Sequence, residues 1–221
     1  MSAYTGSGRS IQAKVEKTKG RKRPLADTHT IGRDRVCWMT RNCLIVIDMQ
    51  NDFLERLEDD TRAALIFNTN QLIDVFRASG CPVIWVQQLL SPDLSDAPLF
   101  IRDGRKSVVI EGTAGAQLHS DLARQDEDAV VVKKRYSAFF QTNLQRILSD
   151  LAPEQVTLAG VNTHACVRTT AIDAYQLDLR VLLASDCLAS HDPEHGRISM
   201  AYMDGNIGMA VTNDQIIDGM T

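Results

Sequence analysis

A chain of 221 residues with 44% apolar and 24% charged residues has the composition of a globular protein and excludes a collagen-like or intrinsically disordered one. Its length supports one sizeable core and a single domain. The formal charge of −4 is unevenly spread: residues 1–41 hold ten Lys or Arg against three Asp or Glu, a balance of +7, and the remainder holds 14 against 25, a balance of −11.

Residues 1–41 read as a basic arm outside the domain, which is taken as 42–221. The run KTKGRKRPL suits an acidic neighbour, nucleic acid, a membrane surface or a targeting address. It has neither aromatic residues nor a period, so a solvated arm is the plainer reading, and the acidic body argues against a broad nucleic-acid-binding face. No apolar run reaches the roughly 18–20 residues that span a bilayer, and the N-terminus lacks an apolar h-region. The expectation is a cytoplasmic protein with no membrane association, unless the arm is an address. The cysteines, Cys37, Cys43, Cys81, Cys166 and Cys187, are odd in number and lack zinc-site spacing, which predicts reduced thiols.

In chain order, CLIVID (43–48) is a short β-branched apolar run ending at an acid, the pattern of a strand buried on both faces. In TRAALIFNTNQLIDVFRASG, Leu65, Leu72 and Phe76 recur at helical spacing, and Gly80 and Pro82 stop the helix. PVIWVQ (82–87) is a second strand. The text from Ser91 to about Lys106 has no period and reads as a long loop, and Leu118 to Ala123 as a short helix. AVVVK (129–133) is the third strand and FFQTNLQRILSDL the next helix. VTLAGV (156–161), a helix from about His164 to Leu177, RVLLASD (180–186), a helix opening at Asp192-Pro193 and a short strand near 209–212 complete the series. Alternating strands and helices predict an α/β fold: a single doubly wound domain with a mostly parallel six-stranded sheet and helices on both faces.

Such sheets bind ligands outside the carboxyl ends of their strands. Three reactive side chains fall there: Asp48, Lys133 and Cys166. Singly, each has a bland reading: Asp48 as a cap, Lys133 as a solvated sheet-edge charge, Cys166 as a small packing residue. Together they offer an acid, a base and a nucleophile to one crevice.

VIDMQNDF (46–53), KKRYSAF (133–139) and GVNTHACV (160–167) resemble the signatures of the isochorismatase-like cysteine hydrolase superfamily, and EGTAGAQL (111–118) is similar to a fourth, weaker element. The resemblance covers about residues 43–212. It implies Asp48 as general base, Lys133 as the cation between base and nucleophile, and Cys166 as nucleophile. It also implies a cis peptide between Val161 and Asn162, with the N–H groups of Asn162 and Cys166 as oxyanion donors, and a homo-oligomer. A helix N-terminus and a nearby lysine both favour thiolate over thiol, and the lysine also tends to hold Asp48 ionised. Phe53, Gln87, Tyr136 and His164 are placed to contact a small-molecule substrate, with Gln87 the first choice. His164 stands two residues before Cys166, a spacing at which helical side chains do not face each other, so it reads as a pocket wall.

Nicotinamidase-like members of the superfamily carry an Asp-x-His-x-x-His metal motif soon after the second strand. The corresponding stretch here, QQLLSPDLSDAPLF, has no histidine. His191 and His195 are four apart, but Pro193 intervenes and no carboxylate-rich ligand set surrounds them. The expectation is therefore no metal and no cofactor. True isochorismatases resemble the chain in the Asp and Lys motifs but typically lack the cysteine, so Cys166 points to hydrolysis of a carbon–nitrogen bond in an amide, ureide or carbamoyl compound. The alternatives are vinyl ether hydrolysis of the isochorismatase type and a non-catalytic binding or scaffold protein on the same fold.

Overall fold

A computed structural model describes residues 41–104 and 106–220. The basic arm, apart from Arg41, lies outside the described residues. Strands β1 (Asn42–Ile47), β2 (Val83–Gln88), β3 (Ala129–Lys133), β4 (Gln155–Val161), β5 (Arg180–Ala189) and β6 (Met209–Val211) form one sheet in the order β3-β2-β1-β4-β5-β6. Every neighbouring pair is parallel. The predicted sheet is present, and its mostly parallel character is in fact complete.

All six residues of β1 and all seven of β4 are buried, which is why their text is continuously apolar rather than alternating. One face packs Leu44, Val46 and Trp85 against α1 (Asn51–Leu54), α2 (Asp59–Ala78) and α7 (Asn213–Met220), through Leu54, Leu65, Leu72, Phe76 and Ile216. The other packs Ile45, Ile47, Ile84 and Leu158 against α4 (Leu144–Leu151), α5 (Arg168–Gln176) and α6 (Pro193–Met203), through Leu144, Leu148, Ala171, Ala174 and Met203. Complete burial of each large apolar side chain contributes about 1.5–3 kcal/mol. Asp192 caps α6 by accepting from the His195 N–H, with Pro193 at the first helical position, as the Asp-Pro pair predicts.

Three expectations change. The long loop contains one helical turn, α3 (Leu99–Asp103). The helix predicted from FFQTNLQRILSDL begins only at Leu144, after a turn in which the Thr142 hydroxyl donates to the Ala138 carbonyl. Leu118 to Ala123 forms turns instead of a helix, because α2 claims its polar backbone: Asn70 donates to the Asp121 carbonyl (2.7 Å) and accepts from the Ala123 N–H (2.9 Å).

Strand order reverses between β1 and β4, so the crevice of this sheet lies past the C-terminal ends of those two strands. Gly160 holds them close. Its φ is +114°, and a Cβ there would overlap the Ile47 carbonyl, so only glycine fits.

Candidate active site

Asp48 follows β1 with φ +53°, a left-handed conformation that aspartate tolerates better than most residues, and its N–H stays tied to the Val86 carbonyl at 2.9 Å. Cys166 follows β4 within a wide helical turn, Thr163–Val167, that runs into α5. Lys133 starts two strands away, at the end of β3, and its long side chain crosses the end of β2 to reach both.

The three side chains meet. The Lys133 ammonium is 2.8 Å from Asp48 Oδ2 and 3.3 Å from Cys166 Sγ, and it also donates to the Arg135 carbonyl (3.0 Å) and towards Gln88 Oε1 (3.4 Å). Lys133 and Asp48 are 1% exposed and Cys166 4%, so water competes for none of these contacts. The peptide between Val161 and Asn162 is cis.

Burial sets the protonation states. It pushes Asp48 up, against the pull of Lys133 and a hydrogen bond from Cys166. It pushes the Cys166 thiol up as well, helped by the Asp48 charge and opposed by Lys133. Burial alone would lower Lys133, but Asp48 and Cys166 outweigh it and the ammonium is held charged. Both the Cys166 thiol and the Asp48 carboxyl are thus shifted upward, opposite to the direction that Lys133 alone would give them. For both groups desolvation outweighs the neighbouring cation. From an ionised Asp48 beside the Lys133 ammonium, moving the thiol proton to Asp48 leaves the net charge of the trio at zero, so a thiolate can form within the site without any charge leaving it.

Other candidates divide. Gln88, not Gln87, faces the trio: it is the registered partner of Lys133 across β2 and β3, whereas Gln87 lies on the opposite face of the sheet with Val83 and Trp85. Counting alternate residues back from the strand end would have found it. Gln50 supports Gln88, accepting from its N–H and donating to its carbonyl, both at 2.9 Å, and also donates to the Ala116 carbonyl. Phe53, on α1, is half-buried between two apolar clusters. Tyr136 is exposed and lines a cavity of about 550 Å³ with Phe100, Ile101, Phe140, Arg135 and Thr169. None of the trio lines that cavity, but two of its wall residues touch the trio: the Arg135 carbonyl accepts from Lys133 at 3.0 Å, and the Thr169 hydroxyl donates to the Cys166 carbonyl at 3.2 Å. His164 turns away from Cys166, with Nδ1 3.0 Å from Ser190 Oγ. Asn162 is buried, and its carbonyl accepts from Ala165 and Val167, which fixes it at the head of the turn.

The fourth motif has a structural explanation. Asn51 donates to the Ala114 carbonyl at 2.8 Å, and Gly115 lies so close to the Asp52 carboxylate that a Cβ would overlap it. The Gln-Asn-Asp of the first motif thus grips the Ala-Gly-Ala of the fourth.

Residues 42–215 match the family model described as isochorismatase domain. The chain belongs to the isochorismatase family. It is 36% identical over 160 residues, 68% of this chain and 82% of the relative, to a probable inactive nicotinamidase of Arabidopsis thaliana. It is 29% identical over 178 residues to the phenazine biosynthesis protein PhzD1 of Pseudomonas aeruginosa, covering 80% of this chain and 86% of that one. Among solved structures it is similar to N-carbamoylsarcosine amidase of Thermoplasma acidophilum, with TM-score 0.68, 28% identity, and 79% and 97% of the two chains covered. The protein is thus an isochorismatase-like hydrolase. The metal site of nicotinamidase-like members does not fit this family member: the stretch from Gln87 to Phe100 offers no histidine, and no group of three His, Cys, Asp or Glu among the described residues is arranged to hold an ion.

Proposed function

We propose that the protein hydrolyses a carbon–nitrogen bond of a small molecule through a covalent thioester on Cys166. The observation that carries this reading is the buried contact of Cys166 Sγ, Lys133 Nζ and Asp48 Oδ2, and its similarity to an N-carbamoylsarcosine amidase supports it.

Asp48 takes the thiol proton as sulfur attacks the carbonyl carbon, and Lys133 stabilises whichever of the two groups is negative. The carbonyl electrons move to oxygen, where the N–H groups of Asn162 and Cys166 receive them. When they return, the carbon–nitrogen bond breaks and Asp48 passes its proton to the departing nitrogen. Asp48 then deprotonates a water molecule, which attacks the thioester; sulfur leaves and regains a proton, and the acid is released. The 550 Å³ cavity walled by Phe100, Tyr136 and Phe140 suits an apolar group on the substrate, with Arg135 available to an anionic one.

The test is ammonium release from a panel of primary amides, ureides and carbamoyl compounds, with intact-mass detection of the acyl adduct. The expected result is turnover and an adduct on Cys166, both lost in Cys166→Ser and in Asp48→Asn. Cleavage of a vinyl ether that persists in Cys166→Ser would replace this reading with isochorismatase-type chemistry. Lack of turnover, with Cys166 inert to acylating reagents, would leave a non-catalytic role.

A further inference from the structure

The end of β5 and the two residues after it run beside the turn that carries Asn162, and the two segments are stitched together residue by residue. The Thr163 hydroxyl donates to the Ala189 carbonyl at 3.1 Å. The His164 N–H points to the Ser190 hydroxyl at 3.4 Å, and the His164 ring nitrogen Nδ1 is 3.0 Å from that same hydroxyl. The His191 N–H donates to Asn162 Oδ1 at 3.1 Å, and His191 Nδ1 is 3.0 Å from the same oxygen. An amide oxygen only accepts, so His191 must carry its proton on Nδ1. Asn162 is thereby held by four hydrogen bonds: two on its carbonyl, from Ala165 and Val167, and two on its side-chain oxygen, both from His191.

We propose that His191 is a positioning residue for acylation: by clamping the Asn162 side chain it sets the direction of the Asn162 N–H that receives the oxyanion. This rests on the reading of Cys166 as an acylated nucleophile. The physical basis is that an oxyanion donor is effective only when aimed beforehand, and a misplacement of about 1 Å costs on the order of 100-fold in rate. One clamp bond comes from the His191 backbone and survives any substitution; the other comes from the ring and does not. Asparagine carries an N–H donor at the position of Nδ1, two bonds beyond Cβ, and so keeps the second bond.

Two reagents on the full-length protein separate this role from general damage. Acylation of Cys166 by p-nitrophenyl acetate joins sulfur to the acetyl carbon, passes through an oxyanion and expels p-nitrophenolate. Alkylation by iodoacetamide displaces iodide and forms no oxyanion. Both need the same thiol proton removed, so the ratio of the two rates reads the oxyanion donors alone. The expected result is a ratio at least about tenfold lower in His191→Ala, approaching the ~100-fold of a misplaced donor, and restored to within about twofold in His191→Asn. A ratio unchanged in His191→Ala overturns the proposal, as does a lowered ratio that His191→Asn fails to restore while its melting temperature matches that of the parent. If the parent protein is alkylated but never acylated at Cys166, the covalent reading itself fails and the role of His191 falls with it.

Discussion

Lys133 is a fully buried cation whose partners are a carboxylate, a thiol and a carbonyl, so its removal tests stability and chemistry at once. In Lys133→Met the Asp48 carboxylate is left buried without its counter-charge, a change that costs about 3–5 kcal/mol. The variant's Asp48 then relieves the strain by binding a proton, its pKa raised further above the unfolded value. A group raised in this way favours the fold below its unfolded pKa, and the contribution is lost as pH rises through the folded pKa. Lys133→Met should therefore melt closest to the parent protein in acid and fall progressively below it towards neutral pH. The double variant Lys133→Met/Asp48→Asn should recover most of that loss yet remain unable to acylate Cys166. Thermal unfolding across the acid-to-neutral range measures the first effect and p-nitrophenolate release the second. A pH-independent deficit would mean that Asp48 is not the group left uncompensated.

The loop between β2 and α3 owes its place to another carboxylate. Asp96 accepts from the Ser91 N–H and hydroxyl at 2.9 and 2.8 Å and meets the Lys134 ammonium at 2.7 Å, while its carbonyl accepts from Arg135. Partial burial pushes Asp96 up, but Lys134 and Ser91 outweigh it and hold the carboxyl down at about 2. Its stabilising contribution is therefore complete above the unfolded aspartate value of about 3.9 and is lost as pH falls towards 2. Hydrogen exchange should show this loop opening before the sheet as the solution is acidified through that window, and Asp96→Asn should open it at neutral pH. Loop protection that stays constant down to acid unfolding would count against the clamp. The contrast with the sheet explains what the sequence could reveal. Buried parallel strands write continuous apolar runs, and the strand-end rule then points to Asp48, Lys133 and Cys166 without any knowledge of contacts. Gln88 was within reach of the same reasoning, by alternation from the end of β2. The grip of Asn70 on Asp121 and Ala123, and of His191 on Asn162, joins residues 51, 53 and 29 apart through single polar bonds. Such bonds leave no period, which is why a helix was expected where turns occur and why the clamp on Asn162 went unseen.

At the scale of the molecule, the described body carries the acidic balance and the arm the basic one, yet every group invoked in the chemistry belongs to the body. The match to the isochorismatase domain begins at residue 42, and β1 begins at Asn42. The link to what precedes it is Arg41, whose carbonyl accepts from the Glu154 and Gln155 N–H groups at 2.9 and 3.3 Å and extends the pairing of β1 with β4 by one step. A chain starting at residue 40 keeps that carbonyl and all six strands. It should unfold cooperatively near the temperature of the full-length protein and acylate Cys166 at the same rate. Its net charge, however, falls from −4 to −10, since residues 1–39 carry nine Lys or Arg against three Asp or Glu. Stronger retention on an anion exchanger and unchanged acylation would assign the arm to interactions outside the catalytic domain. A marked loss of acylation with the melting temperature preserved would instead make the arm part of the substrate site, because a change in charge alone does not alter the geometry of a trio sealed from water.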